Sequence, residues 1–224
     1  DSAGVQTSHN NTNMFAAISV NGQFVAFRSS ASSLVSGDTN GANDIFVKNR
    51  LTGVTTRVST DSADTHSNGG SVQLAISADG RYVAFDSQAD NLVAGDANTQ
   101  PDVFVKDTYT GTTIRVSENS GGTGGDSISR TNGVSDDGRY VVYESGSTNL
   151  VAGDTNATGD IFRAENTTYV ADTDGDGLRD DVETAIGTDI NLADTDGDGV
   201  SDFDEVNADG DPFSYTSGTD YDPN

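Results

Sequence analysis

The sequence has no cysteine, no tryptophan, three prolines and one methionine among its 224 residues. The absence of cysteine excludes disulfide bonds and thiol chemistry, so packing, metal binding or assembly must supply any additional stability. No segment approaches the roughly 20 apolar residues that a membrane-spanning helix needs. The first residues also lack the basic and then apolar pattern of a signal peptide.

Basic residues are also scarce, with 11 lysines and arginines against 36 acidic residues and a net charge of −25. Such a charge repels nucleic acid and anionic lipid, so we expect neither as a partner and no membrane insertion. The acid is concentrated at the end of the chain, where residues 171–224 contain 17 acidic residues and Arg179 as the only basic one. This change in composition predicts one domain over residues 1–170 and a second over residues 171–224.

The first of these domains is built from an internal repeat. The segments ISVNGQFVAFRS at 18–29, ISADGRYVAFDS at 76–87 and VSDDGRYVVYES at 134–145 follow one another at a spacing of 58 residues. A second motif, which begins LVSGD at Leu34, LVAGD at Leu92 and LVAGD at Leu150, keeps the same spacing. The sequence therefore predicts three structural repeats, at about residues 12–70, 71–128 and 129–170.

Each repeat has the pattern of four short β-strands. Asp79-Gly80 and Asp137-Gly138 are typical of hairpin turns, because glycine accepts a positive φ. At residues 103–105, Val-Phe-Val, apolar side chains occupy both faces of the predicted third strand, which indicates a sheet covered on both sides. We therefore predict a mainly β fold of three four-stranded, propeller-type blades, followed by a small calcium-loop segment with short helices.

These motifs resemble a known family. The patterns IS-x-DGRYVAF, NLVAGD-x-N and DVFV-x-D-x-x-TG-x-T-x-RVS are similar to the Tol-type or WD-like bacterial β-propeller repeats, over about residues 12–166. The resemblance implies blades arranged around an axis and generally a binding role, without specifying a ligand. Propellers usually have about four to eight blades, so either a longer precursor or another subunit must supply the neighbours that three blades lack.

The acidic end of the chain contains two twelve-residue segments, DTDGDGLRDDVE at 172–183 and DTDGDGVSDFDE at 194–205. Both have acids at positions 1, 3, 5, 9 and 12 and glycine at position 6, as a calcium-binding loop requires. Hard oxygen ligands in this number favour Ca²⁺ over Mg²⁺ or zinc, so we expect at least two calcium ions. The predicted ligands of the first are the side chains of Asp172, Asp174, Asp176, Asp180 and Glu183 with the carbonyl of Leu178, and those of the second are the side chains of Asp194, Asp196, Asp198, Asp202 and Glu205 with the carbonyl of Val200.

The surroundings of these loops differ from those of an EF-hand. A short helical pattern follows each loop, but only residues 187–193 separate the first helix from the second loop, which leaves no room for a helix before it. With its Gly-Thr-Asp lead-in at residues 187–189, the segment resembles the thrombospondin type 3 repeats of bacterial surface proteins. A dockerin is the competing resemblance and would imply a cohesin partner, although dockerins have longer helices after their loops.

Each propeller-type repeat also carries an acidic loop with the spacing D-x-N-x-x-x-D. This spacing could hold a further cation, or the side chains could hydrogen-bond the backbone of the turn, which is the common role of Asp and Asn there and the one we favour. The residues concerned are Asp38, Asn40 and Asp44; Asp96, Asn98 and Asp102; and Asp154, Asn156 and Asp160.

The sequence contains no cluster of acids, histidines or aromatics that is unique to one repeat, as an active site would require, and we expect no enzyme activity and no organic cofactor. Because resting cytosolic calcium is low, a calcium-stiffened array indicates a secreted or cell-surface protein whose signal peptide has been removed. We expect a structural, adhesive or assembly module, as in a surface layer or filament, which associates with itself or with another surface or matrix protein. The alternatives are a partial propeller domain of a secreted polysaccharide-active enzyme and a protein-partner adaptor.

Overall fold

The computed structural model of the chain describes residues 15–156, 158–197 and 201–206, except for the side chains of 204 and 205. The chain forms two compact units, Asp1–Thr168 and Tyr169–Asn224. Within the described residues, every helix is too short or too polar to cross a lipid bilayer.

The first unit contains three antiparallel sheets, one for each repeat, and in every sheet the neighbouring strands follow one another in the chain. This arrangement confirms the prediction of a mainly β fold. The strands of the first sheet are β1 (Ala16–Ile18), β2 (Phe24–Ser29), β3 (Asp44–Asn49) and β4 (Thr55–Arg57); those of the second are β5 (Ser71–Ile76), β6 (Tyr82–Ser87), β7 (Asp102–Asp107) and β8 (Thr113–Arg115); those of the third are β9 (Ser129–Val134), β10 (Tyr140–Ser145) and β11 (Asp160–Glu165).

The hairpin between the first two strands is built from a serine, an aspartate and a glycine. Gly80 has a φ of +85° and Gly138 one of +77°, a left-handed conformation that glycine adopts without strain. The hydroxyl of Ser77 donates a hydrogen bond to the Asp79 carboxylate, which also accepts the N–H of Arg81 at 3.0 Å. These contacts explain why the Asp-Gly pair predicts the turn correctly.

Neighbouring sheets contact each other through the same turn in each repeat. The N–H of Val20 donates to the carbonyl of Ala78 at 2.9 Å, and the N–H of Ala78 donates in turn to the carbonyl of Asp136 at 2.8 Å. The ring of Tyr82 lies where a Cβ on Gly138 would be, so this close contact requires glycine in the third sheet. The 58-residue spacing of the sequence is therefore also the spacing of the contacts between sheets.

The middle sheet is covered on both faces. All six residues of β6 and all six of β7 are buried, as the apolar pattern at residues 103–105 predicts. The outer sheets expose apolar side chains instead, because among the described residues each has a neighbouring sheet on one side only. Ile18 of the first sheet is 59% exposed, and Ile161 of the third is 65% exposed.

The third sheet has three strands in the described part of the chain, one fewer than the repeat predicts. In the second repeat the fourth strand is followed by Val116 and Ser117, so that residues 113–117 read Thr-Ile-Arg-Val-Ser. The residues 58 positions later, 171–175, read Ala-Asp-Thr-Asp-Gly and belong to the first calcium loop. In the sequence, the calcium loop therefore stands where the fourth strand is expected, and among the described residues β11 is an edge strand of its sheet.

The described residues of the second unit form two short helices, α1 (Asp180–Ile186) and α2 (Asp202–Val206). Each begins inside the second half of an acidic loop, where the sequence predicts a helix. Helix α1 ends at Gly187, which has a φ of +95° and whose N–H donates to the carbonyl of Glu183 at 2.7 Å. Glycine is the usual residue at such a helix end, because it takes the left-handed conformation at no steric cost.

One ion pair of the repeat is buried in the second sheet and exposed in the third. The two pairs allow the effect of burial on the stability of an ion pair to be measured. Arg81 makes two hydrogen bonds to Asp107, at 2.9 and 2.7 Å, and both side chains are buried. Arg139 and Glu165 occupy the equivalent positions, with side chains 45% and 57% exposed. We expect Arg81→Leu to lower the free energy of unfolding by about 3–5 kcal/mol, because it leaves a buried carboxylate unpaired.

The control Arg139→Leu removes the exposed pair and should cost only about 0–1 kcal/mol. Urea unfolding of the two variants, followed by near-ultraviolet circular dichroism, measures both values. Equal losses in the two variants would contradict the view that burial of the pair decides its contribution.

Candidate calcium site

The first acidic loop brings three carboxylates together. One carboxylate oxygen from each of Asp172, Asp174 and Asp176 lies within 4.8 Å of the others. The three side chains are partly buried. Three hard anionic oxygens at this separation form a cluster of the type that binds Ca²⁺.

The backbone of the loop folds around these carboxylates. Asp172 accepts the N–H of Gly175 at 2.8 Å and that of Gly177 at 3.1 Å, and Asp176 accepts the N–H of Leu178 at 2.6 Å. Gly177, at the sixth position, has a φ of +105°, which explains why the motif requires glycine there. The carboxylates are therefore fixed in place by the loop itself, and the Leu178 side chain is buried beneath them in the second unit.

Glu183, at position 12, is the most unusual residue of the site. Its side chain is completely buried, and neither carboxylate oxygen has a hydrogen-bond partner among the described residues. The same is true of one carboxylate oxygen of Asp174. Burial, together with the negative charges of Asp174 and Asp176, raises the pKa of Glu183 to about 8. Burial likewise raises the pKa of Asp176 to about 6. Buried carboxylate oxygens without donors fit a divalent cation, which supplies the positive charge that the surrounding protein does not.

Asp180 and Asp202, at position 9 of the two loops, make the same contacts. Asp180 accepts the N–H and the hydroxyl of Thr173, both at 2.7 Å, and Asp202 accepts those of Thr195 at 2.9 and 2.7 Å. Both carboxylates thus brace the second residue of their own loop. In calcium loops of this length, position 9 often acts through a water molecule, and the threonine contacts are consistent with that indirect role.

The second loop is described in part. Asp194 accepts the N–H of Gly197 at 2.7 Å, which repeats the contact between Asp172 and Gly175. The predicted ligands Asp198 and Val200 lie outside the described residues, as does the side chain of Glu205. The described half of the second loop therefore has the same local structure as the first.

A contact between the two loops is not evident from the sequence. The N–H of Phe203, in the first turn of α2, donates to the Asp176 carboxylate at 2.9 Å. The ring of Phe203 also packs against Gly177, where a Cβ would lie 3.0 Å from it. Asp176 thus belongs to its own loop and to the packing of the next helix. The sequence motif gives the spacing of residues within each loop, but it does not predict the contact of Phe203 with Asp176 and Gly177.

In the propeller-type repeats, the acidic loop of the first repeat is neutralised by an arginine. In the first repeat, one guanidinium nitrogen of Arg57 lies 3.1 Å from Asp38 and 3.0 Å from Asp44. Asn40 donates to Asp44 and accepts the N–H of Ala42, as an asparagine that braces a turn does. An arginine neutralises the two carboxylates and Asn40 braces the turn backbone, which supports the hydrogen-bonding role over a cation site.

A comparison with known protein families finds a match in the tail of the chain. Residues 172–189 and 194–214 match the family model of the bacterial TSP3 repeat, which covers the two acidic loops. No curated protein sequence matches the chain at a significant level.

Several solved structures resemble the chain at low identity. TolB from Acinetobacter baumannii is 16% identical, with a TM-score of 0.41, over 70% of this chain and 30% of that one. The tricorn protease is 15% identical, with a TM-score of 0.41, over 69% and 13% of the two chains. A prolyl endopeptidase is 12% identical, with a TM-score of 0.40, over 69% and 20%. The chain thus spans less than a third of each of these structures.

The family match and the geometry concern the same residues. The match begins at Asp172, the first residue of the carboxylate cluster, and its first part extends beyond Glu183. The resemblance of the tail to thrombospondin type 3 repeats is therefore confirmed: residues 172–189 and 194–214 match the bacterial TSP3 repeat, which is a repeat of the calcium-binding type.

Proposed function

We propose that this chain is a non-catalytic, calcium-binding structural module that works outside the cell. The observation that carries the proposal is the buried, unpartnered carboxylate of Glu183 beside the cluster of Asp172, Asp174 and Asp176. In this proposal each acidic loop binds one calcium ion, so the chain takes up two. The ions neutralise part of the mutual repulsion of the carboxylates and let the second unit fold around them.

An extracellular location is the setting that suits a structural calcium module. Calcium modules that work outside cells bind with dissociation constants of about 10⁻⁴ to 10⁻³ M, and these sites remain occupied only where calcium is plentiful. The match to bacterial TSP3 repeats supports the same location. A site that is permanently filled stiffens the chain rather than sensing a signal. We therefore assign the second unit a mechanical role.

The propeller-type unit supplies the surface for assembly. Its two outer sheets expose apolar side chains, Ile18 and Val20 on the first and Val151 and Ile161 on the third. Inside the chain, each sheet uses one face to contact the preceding sheet and the other to contact the next. The exposed faces are therefore the two halves of one contact, and a second copy can bring them together. Repeated association of this kind builds a closed ring or an open filament.

Calcium binding provides the direct test of the proposal. Titration calorimetry of the whole chain should give two calcium ions per molecule, and Glu183→Gln should weaken one site by about tenfold or more, because it removes a buried anionic ligand. The control Glu165→Gln makes the same chemical change at an exposed position of β11 and should leave both sites unchanged. Uptake of no calcium by the wild-type chain would refute the proposal.

The contact between copies can be tested with introduced cysteines, since the chain has none of its own. The variant Val20→Cys/Ala78→Cys joins two residues whose backbones are hydrogen-bonded within one chain, and it should form an intramolecular disulfide. The variant Val20→Cys/Asp136→Cys places the cysteines on the two outer sheets, where only a second copy can bring them together. Under mild oxidation this variant should give reducible dimers or a ladder of larger species.

Non-reducing gel electrophoresis and mass spectrometry distinguish these products. A closed dimer indicates a ring of six sheets, whereas a ladder indicates an open stack. A chain that stays monomeric as the Val20/Asp136 variant, at a concentration where the Val20/Ala78 variant is fully oxidised, would rule out self-association through these faces.

A further inference from the structure

The outermost strand of the first two sheets carries an arginine that neutralises two aspartates. Arg57, at the end of β4, lies 3.1 Å from Asp38 and 3.0 Å from Asp44. Arg115, at the end of β8, lies 3.7 Å from Asp96 and 3.8 Å from Asp102. The side chains of both arginines are at most 6% exposed.

The two residues after each arginine complete the same contact. The hydroxyl of Ser59 donates to Asp44 at 2.8 Å and accepts the N–H of Ile45 at 3.2 Å. Between the arginine and the serine, the N–H of Val58 donates to the carbonyl of Ile45 at 2.8 Å. The second repeat shows the same set of bonds with Val116 and Ser117. The sequence Arg-Val-Ser therefore acts as one unit that closes the acidic loop and covers the start of the third strand.

The third sheet has the acidic loop but not the Arg-Val-Ser unit. Asn156 donates to Asp160 at 3.3 and 3.2 Å, just as Asn40 does to Asp44 in the first repeat. Phe162 of β11 stacks on Tyr143 at 5.4 Å, like the aromatic pairs of the other sheets. The site around the missing strand is thus formed in the same way as its two counterparts.

No residue in the described part of the chain fills the place of the missing unit. In the ranges that the structure describes, no ion pair neutralises Asp154 or Asp160, and no strand pairs with the free edge of β11. An open cleft of about 490 Å³ lies at this position, lined by Val151, Asp154 and Phe162 among others. It combines two carboxylates, an apolar wall and an unpaired strand edge.

We propose that the edge of β11 is a docking site for an extended segment that contains Arg-Val-Ser. The segment pairs antiparallel with β11, and its arginine lies between Asp154 and Asp160. Its serine donates to Asp160, and the N–H of its valine donates to the carbonyl of Ile161. Addition of a strand to a sheet edge is an established mode of peptide recognition, in which backbone hydrogen bonds give affinity and side-chain pockets give selectivity.

The two complete sheets identify the occupant as a strand rather than a metal ion. In both of them a guanidinium group neutralises the aspartate pair, a hydroxyl from the same short segment donates to the second aspartate, and the valine between them is buried. A free cation would satisfy the carboxylates but would leave the strand edge and the apolar wall exposed. The sequence contains Arg-Val-Ser twice, at 57–59 and 115–117, and both copies are used in their own sheets. The occupant that we propose is therefore a separate polypeptide.

The test uses a fluorescent peptide with the sequence of residues 110–118, TGTTIRVSE, which contains β8. Fluorescence anisotropy should show saturable binding of one peptide per chain. Replacement of the peptide's arginine by glutamine should weaken binding by about tenfold or more, because the carboxylate pair is left without a cation. Equal binding of the two peptides, or no binding up to the solubility limit, would overturn the proposal.

Chain variants distinguish the site from general attraction of a cationic peptide to an acidic protein. Asp160→Asn should weaken binding of the arginine peptide, whereas Asp136→Asn, which removes one charge at an exposed turn of the same sheet, should not. If the two variants bind alike, the attraction is nonspecific and the proposal fails. Glu183→Gln should bind the peptide normally, so a failure of the calcium proposal is distinguishable from a failure of this one.

Hydrogen exchange gives a second measurement that does not depend on the Asp160 variant folding. Saturation with the arginine peptide should slow amide exchange in residues 160–164 and leave the edge strand β1 unchanged. Joining the peptide to the chain by a flexible linker repeats the measurement at a high local peptide concentration. Protection of the same amides by the joined peptide supports the site, and protection confined to any other sheet edge would overturn it.

Discussion

A carboxylate can be buried only where donors or a positive charge replace the water that it loses, and this requirement governs both units of the protein. Asp44, at the start of β3, is completely buried and accepts bonds from an arginine, an asparagine and two serines. Asp107, in the second sheet, accepts two hydrogen bonds from Arg81. In the second unit, Glu183 is just as buried, and the part of the chain that the structure describes offers it no such donors. The difference between arginine and calcium as the neutralising group is the chief chemical difference between the two units.

Because the sequence repeats, successive pairs of sheets make the same contacts. Because each repeat uses the same residues at a spacing of 58, every sheet presents one face that fits the preceding sheet and one that fits the next. The backbone bonds that link Val20, Ala78 and Asp136 are an example, since Ala78 donates through its N–H and accepts through its carbonyl. Such an array has no internal reason to stop at three sheets. Among the described residues, its outer sheets expose apolar side chains such as Ile18 and Ile161.

Much of the fold follows from the sequence because local chemistry decides it. The Asp-Gly turns, the strands and the helices after the calcium loops all depend on residues close together in the chain. The three-stranded third sheet could also have been found, since residues 171–175 visibly lack Arg-Val-Ser. The contact of Phe203 with Asp176 could not, because it joins residues 27 positions apart through packing that no motif records. Likewise, spacing alone predicts Asp180 as a ligand but does not reveal its two hydrogen bonds from Thr173.

The composition of the tail explains why a metal ion is needed there and not in the sheets. Residues 171–224 contain a single basic residue, Arg179, and its guanidinium group is held by Asp181 at 2.7 and 3.1 Å. A further arginine would neutralise one carboxylate at a time and would itself have to be buried. One divalent ion accepts six to eight oxygen ligands, so it can satisfy a cluster of carboxylates and a backbone carbonyl together. In a segment this short and this acidic, one calcium ion can neutralise the buried Glu183 and its neighbours together, whereas cationic side chains would have to be added one by one.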